Sequence, residues 1–147
     1  MKKQISRALL GLAAALALAV AVGAQVLSAV VVNVPFDFVA GGKQMPAGRY
    51  TVSRVRSDAE DALIIKGEGG RDTAIVLTTT GEGRPRKSAL VFRQRGDSRF
   101  LAAVEVPGAA SVRELPKSQA ERRLERELAE QDKSEDAKTV TVVGSVQ

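Results

Sequence analysis

The sequence predicts an all-β domain: a small antiparallel β-barrel or sandwich of about six to seven strands, with one C-terminal amphipathic α-helix, preceded by a signal peptide. Three observations lead there. Short runs rich in Val, Ile and Phe recur between residues 30 and 106, separated by turns containing Gly or Pro and by no helical pattern. The first 24 residues join a basic start to an uncharged apolar stretch. Beyond residue 114 the chain becomes charged, with Leu at helical spacing.

The N-terminal segment opens with Lys2, Lys3 and Arg7, continues through an Ala-rich apolar run and ends at Val22-Gly23-Ala24, a pattern that signal peptidases cut. Cleavage after Ala24 is preferred, with Ala29 as the alternative. An uncleaved anchor is the rival, because no charge lies between Arg7 and Asp37. Against it, the run is Ala-dominated, which weakens insertion, and the chain after Gln25 reads as a strand. Removing residues 1–24 takes away three basic residues and no carboxylate, so the net charge falls from +5 to +2. The expected organisation is a signal peptide over 1–24, a β domain over 25–113, a linker and helix over 114–131, and a charged flexible tail over 132–147. The localisation that follows is periplasmic or extracellular, with no membrane span after cleavage.

Residues 30–39 open the domain. Val32, Val34, Phe36 and Phe38 alternate with Asn33, Pro35 and Asp37, the period of a half-buried strand. Pro35 has no amide hydrogen, which predicts an edge strand or a bulge. Turns at Gly41-Gly42 and at Pro46-Ala47-Gly48 lead to a strand over 49–56. The run 62–66 is apolar on both faces, as in a central strand. Strands over 73–80, 88–94 and 99–106 follow, and 109–112 is a candidate seventh. Phe36, Phe38, Tyr50, Phe92 and Phe100, with Val34, Leu63, Ile65, Ile75, Leu77, Leu90 and Val104, form the expected core. At about 1.5–3 kcal/mol per buried large side chain, that set supports a domain without disulfides.

Ser118-Gln119-Ala120-Glu121 fits a capping box and starts a helix over 119–131. Ala120, Leu124 and Leu128 lie on one narrow face, and Arg123/Glu127 and Arg126/Glu130 are opposite charges one turn apart. Residues 139–143 have strand propensity, as a late edge strand or a frayed tail.

The string Val32-Asn33-Val34-Pro35-Phe36-Asp37-Phe38, followed by Pro46-Ala47-Gly48-Arg49-Tyr50, resembles the opening of a group of small bacterial secreted or envelope proteins. Leu90-Val91-Phe92, Gly96-Asp97, Phe100-Leu101 and Arg113-Glu114-Leu115-Pro116-Lys117-Ser118 extend the likeness over residues 32–126. The resemblance implies a secreted β-domain and brings no catalytic or binding residues with it.

Composition excludes much of the familiar chemistry. The 147 residues contain no His, Cys or Trp. A Ser-His-Asp triad, a histidine base, a cysteine nucleophile and His- or thiolate-ligated zinc are impossible. Carboxylates remain: Asp37, a loop cluster of Asp58, Glu60 and Asp61, and Asp97 in a turn. Their turn and solvation roles outweigh a hydrolase reading, which needs two facing carboxylates beside a cleft. Neither Gly67/Gly69/Gly70 nor Gly81/Gly83 precedes a helix as a phosphate loop does. Arg95-Gly96-Asp97-Ser98 spells an adhesion tetrapeptide, and a tight hairpin wants the same Gly and Asp. No enzyme activity, cofactor or metal is expected, and no specific nucleic acid.

Two surfaces remain as candidates. Arg84, Arg86, Lys87, Arg93, Arg95 and Arg99 fall on neighbouring hairpin elements and would attract an anionic polysaccharide. The competing account is solvation of a sheet face and protection of strand edges. Leu115, Leu124 and Leu128 would either pack on the sheet or dock another envelope protein. The oligomeric state is open.

Overall fold

A computed structural model describes residues 29–131 and 138–147; the signal segment and its cleavage lie outside the described residues. Among the described residues, eleven strands and one helix follow in chain order: β1 (Val30–Val34), β2 (Phe38–Ala40), β3 (Lys43–Met45), β4 (Gly48–Arg56), β5 (Ala59–Gly67), β6 (Thr73–Leu77), β7 (Thr79–Gly81), β8 (Ser88–Arg95), β9 (Ser98–Glu105), β10 (Val112–Glu114), α1 (Gln119–Glu130) and β11 (Lys138–Val146). The strand count exceeds the expected six to seven. The excess comes from breaks in the runs 30–39 and 73–80, from the short β3 between two expected turns, and from the tail.

The sheet runs β3-β2-β9-β8-β11-β1-β4-β5-β6, while β10 bridges β7 and β9. Because β7 continues β6 one residue later, that bridge brings the far end of the sheet back to β9. The result is a nearly closed barrel. Closure leaves few free edges, which suits a small domain without disulfides.

Alternation decides what faces inward. Val30, Val32 and Val34 of β1, Tyr50 and Val52 of β4, Leu63 and Ile65 of β5, and Leu90 and Phe92 of β8 fill the interior. Phe38 meets Tyr50 and Phe92 edge-to-face at 5.1 and 5.3 Å, and Phe36 meets Phe92 at 5.1 Å. The Tyr50 hydroxyl donates to the Pro46 carbonyl at 2.6 Å. Burial first, then the charges of Asp72 and Asp37, push its pKa above 10.0.

Five expectations change. The run 30–39 is two strands, because the chain leaves the ladder at Pro35, which cannot donate. Contrary to the edge expectation, β1 is paired on both sides, by β11 and β4, and β2 pairs parallel to β9 at Val39 and Phe100. Ile75 and Leu77, expected in the core, are 63% and 67% exposed, while Ala74, Val76 and Thr78 point inward. Both faces of that run are apolar enough that periodicity alone could not choose between two registers one residue apart. The candidate seventh strand lies slightly later, at Val112–Glu114.

The fifth change concerns the tail. Residues 138–146 form neither an edge strand nor a frayed end: β11 pairs β8 along Lys138 to Gly144 and β1 at Val146 and Ser145. It joins two sheet edges that would otherwise both be open. Gly144 makes this fit possible, since a Cβ there would overlap the Val31 carbonyl and the Val32 side chain. Among the described residues, no helix is long and apolar enough to cross a membrane.

Candidate functional site

The outer face of β8 carries Arg93 and Arg95, two residues apart and therefore on the same side of the strand. That spacing spans about 6.8 Å along a strand. On α1, Glu121 and Glu125 lie one turn apart, about 6 Å along the helix axis. The two repeats match, and two Arg–Glu pairs form side by side. Arg93 donates through Nε to Glu121 Oε1 at 2.7 Å and through Nη2 to Glu121 Oε2 at 3.0 Å, the bidentate geometry that suits a guanidinium. Arg93 Nη2 also reaches the Leu115 carbonyl at 3.3 Å. Arg95 pairs with Glu125, which additionally accepts from Lys117 Nζ at 2.7 Å.

The Lys117 hydrogen bond holds the Glu125 carboxyl below its ordinary value of 4.5 against the opposing effect of burial, helped by the charges of Arg95, Lys117 and Arg93. Glu121 is 1% exposed, and Arg95 Nε is buried without a hydrogen-bond partner.

The six predicted cations are thus divided. Arg93 and Arg95 lie under the helix and are neutralised by its carboxylates. The Arg99 guanidinium sits 4.6 Å over the Phe36 ring, an attraction between cation and ring quadrupole. Arg84, Arg86 and Lys87 are exposed in the loop between β7 and β8. No continuous cationic stripe results, because β8 directs its cations toward a helix that supplies carboxylates.

The leucine face is also reorganised. Leu115 is buried, Leu124 and Leu128 are half-buried, and Ala120 is exposed. The face of α1 toward the barrel is Glu121, Leu124, Glu125 and Leu128, not Ala120, Leu124 and Leu128. Ser118 caps the helix by accepting from the Glu121 amide at 3.1 Å, as its spacing predicts. The Glu121 carboxylate is held by Arg93, where a capping box would have turned it back to Ser118. Arg123 and Glu127 pair at 3.7 Å.

The carboxylates fall at several turns. Asp37 accepts the Ala47 amide at 2.8 Å, and Asp58 pairs with Arg56 beside the β4–β5 turn. Asp97 occupies the two-residue turn after Gly96, whose φ of 54° favours glycine. Asp37 and Asp97 border one depression of about 360 Å³ with Arg99, while Asp58 and Asp61 lie on a different hairpin. In the adhesion-like tetrapeptide, the Arg95 side chain is 15% exposed and paired with Glu125.

A broad concavity lies beside the helix. It is an open groove of about 1210 Å³ between β6, the Gly41-Gly42 turn and α1. Its floor carries Ile75 and Leu77, the most exposed large apolar side chains described, next to buried Leu115. Arg122, Arg126 and Ala129 form the helix wall, one turn apart on the flank beside the docked face. The Arg122 and Arg126 side chains are exposed and make no ion pair or hydrogen bond among the described residues.

Strand β6 has β5 as its ladder partner, and the Thr78 amide bonds the Asp61 carbonyl at 2.7 Å. By alternation, the backbone groups of Thr73, Ile75 and Leu77 point away from β5. Lys43 Nζ covers the Thr73 carbonyl at 2.8 Å, and Gly41 approaches Ile75. Leu77, which also lines the groove, is 67% exposed. Sequence reasoning missed this site, because Ile75 and Leu77 read as core. The one available signal was an apolar run without a polar face. Compared with protein families, curated proteins and solved structures, the chain matches none.

Proposed function

We propose that this chain is an exported, non-enzymatic β-barrel that acts by binding or assembly in the bacterial envelope. One observation carries the binding part: Ile75 and Leu77 are left uncovered side by side in the open groove beside the helix. A monomer that needs no partner gains stability by covering such side chains, and uncovered apolar patches with polar rims mark interaction sites. The N-terminal pattern of residues 1–24 supports export, as does the resemblance to secreted envelope proteins. The missing His and Cys support a non-enzymatic role.

Binding of an anionic polysaccharide is the second reading, supported by the exposed trio Arg84, Arg86 and Lys87. It is the weaker one, because Arg93 and Arg95 are already paired and the rings of Phe38, Tyr50 and Phe92 are buried, away from any sugar.

Crosslinking the chain in its native envelope, with N-terminal sequencing of the recovered adduct, tests the first reading. The expected result is a mature chain starting at Gln25 and joined to a discrete envelope protein. Recovery of an uncrosslinked chain that retains Met1 would overturn it.

A further inference from the structure

Resting on the binding reading above, we infer that the groove between β6 and α1 is a docking site for an acidic peptide segment of another protein. The partner's apolar side chains would sit on Ile75 and Leu77, and its carboxylates would meet Arg122 and Arg126.

Three features select this occupant. The floor is aliphatic and the wall is cationic, so a ligand needs apolar groups and negative charge within one short stretch. Arg122 and Arg126 have no carboxylate partner among the described residues, in contrast to Arg93 and Arg95 on the adjoining seam. A guanidinium held on a helix is well placed to take a carboxylate bidentately. Finally, Ala129 in the helix wall and Gly41 and Gly42 in the turn are small, which leaves room in the groove for a ligand.

Other occupants fit less well. A second copy related by a two-fold axis would bring the same cationic wall to both sides of the contact, with no added carboxylate to offset it. A lipid surface is read by side chains that protrude, whereas Ile75 and Leu77 lie on a floor between a turn and a helix. A polysaccharide needs stacking rings, and none lines the groove.

The test is binding of a short fluorescent peptide with Leu at i and i+2 between Glu and Asp residues, read by anisotropy. It is run beside the same peptide with Lys for its acids. The full exported chain is compared with Ile75→Thr/Leu77→Thr, which keeps strand propensity, and with Arg122→Glu/Arg126→Glu, both checked for folding by circular dichroism. The acidic peptide should bind the wild type, and each double variant should weaken it about tenfold or more, near 1.4 kcal/mol. The charge-reversed variant should bind the Lys peptide instead.

Equal binding of both peptides, no binding of the acidic one, or undiminished binding by the variants would overturn the proposal. Two further results would do the same: concentration-dependent dimerisation lost on Leu77→Thr, or capture by phosphatidylglycerol vesicles lost in the same variants. If the chain crosslinks to an envelope protein through another face while ignoring the peptide, this site falls and the binding reading stands.

Discussion

The barrel interior and the seam between α1 and β8 are both largely buried, yet different forces hold them. Inside, Phe38, Tyr50 and Phe92 meet edge-to-face among Val, Leu and Ile side chains, and the attraction has little directional demand. At the seam, Glu121 is buried against Arg93, Glu125 gathers Arg95 and Lys117, and Leu124 and Leu128 are half-buried. A charged contact of this kind holds only when distances and orientations are met, and a lost partner leaves a charge without compensation. The interior therefore confers stability, while the seam specifies where one helix lies and so shapes the groove beside it.

Removing volume from the interior should have the largest effect. Phe92→Ala takes away a fully buried ring that contacts Phe36 and Phe38, and should cost about 3–5 kcal/mol in urea denaturation. A loss below about 1 kcal/mol would mean that the barrel is not organised around this cluster.

The seam should respond less, and in a different pattern. Glu121→Ala leaves the Arg93 guanidinium without its carboxylate and should cost about 1.5–3 kcal/mol. The loss should stay below that of a fully buried pair, because the Arg93 side chain is 21% exposed and water can reach it. Replacing both partners, Arg93→Met with Glu121→Leu, should restore most of the stability, since neither charge is then stranded. A double variant no more stable than the single one would show that the pair holds the helix by more than charge compensation.

The smallest effect should come from acid. Because the Glu125 carboxyl is held below its ordinary 4.5 in the folded chain, its pairing adds stability above that value. The contribution is lost as pH falls through the lowered value. Hydrogen exchange should show amide protection of α1 falling in that range while the barrel strands stay protected. Glu125→Gln should lack this step, and an unchanged acid response in that variant would assign it to other carboxylates.

These contrasts also explain what could be read in advance. The interior was largely legible: Val32, Val34 and Phe38 stood out by alternation and Tyr50 as an aromatic within a strand, and all four are buried. Alternation failed at residues 73–78, where both faces are apolar and only the pairing with β5 sets the register. The tail was misread because strand propensity over 139–143 does not say which edges lie open to receive it. The seam was the least legible part. Arg93 and Glu121 lie 28 residues apart, and each was assigned a sound local role, as a surface cation and as half of a capping box. Only the match between the strand and helix repeats joins them.

The sequence by itself determined the β class, the position and N-cap of α1 and the catalytic chemistries that are impossible, because periodicity, capping and residue type are local properties. Tertiary structure alone decided that the sheet nearly closes, that β11 fills the gap between β8 and β1, and that Arg93 and Arg95 hold a helix instead of facing solvent. It also decided that Ile75 and Leu77 are left on the floor of an open groove. Each of these depends on which distant backbone and side chain arrive within hydrogen-bonding or van der Waals distance, and long-range pairing sets that.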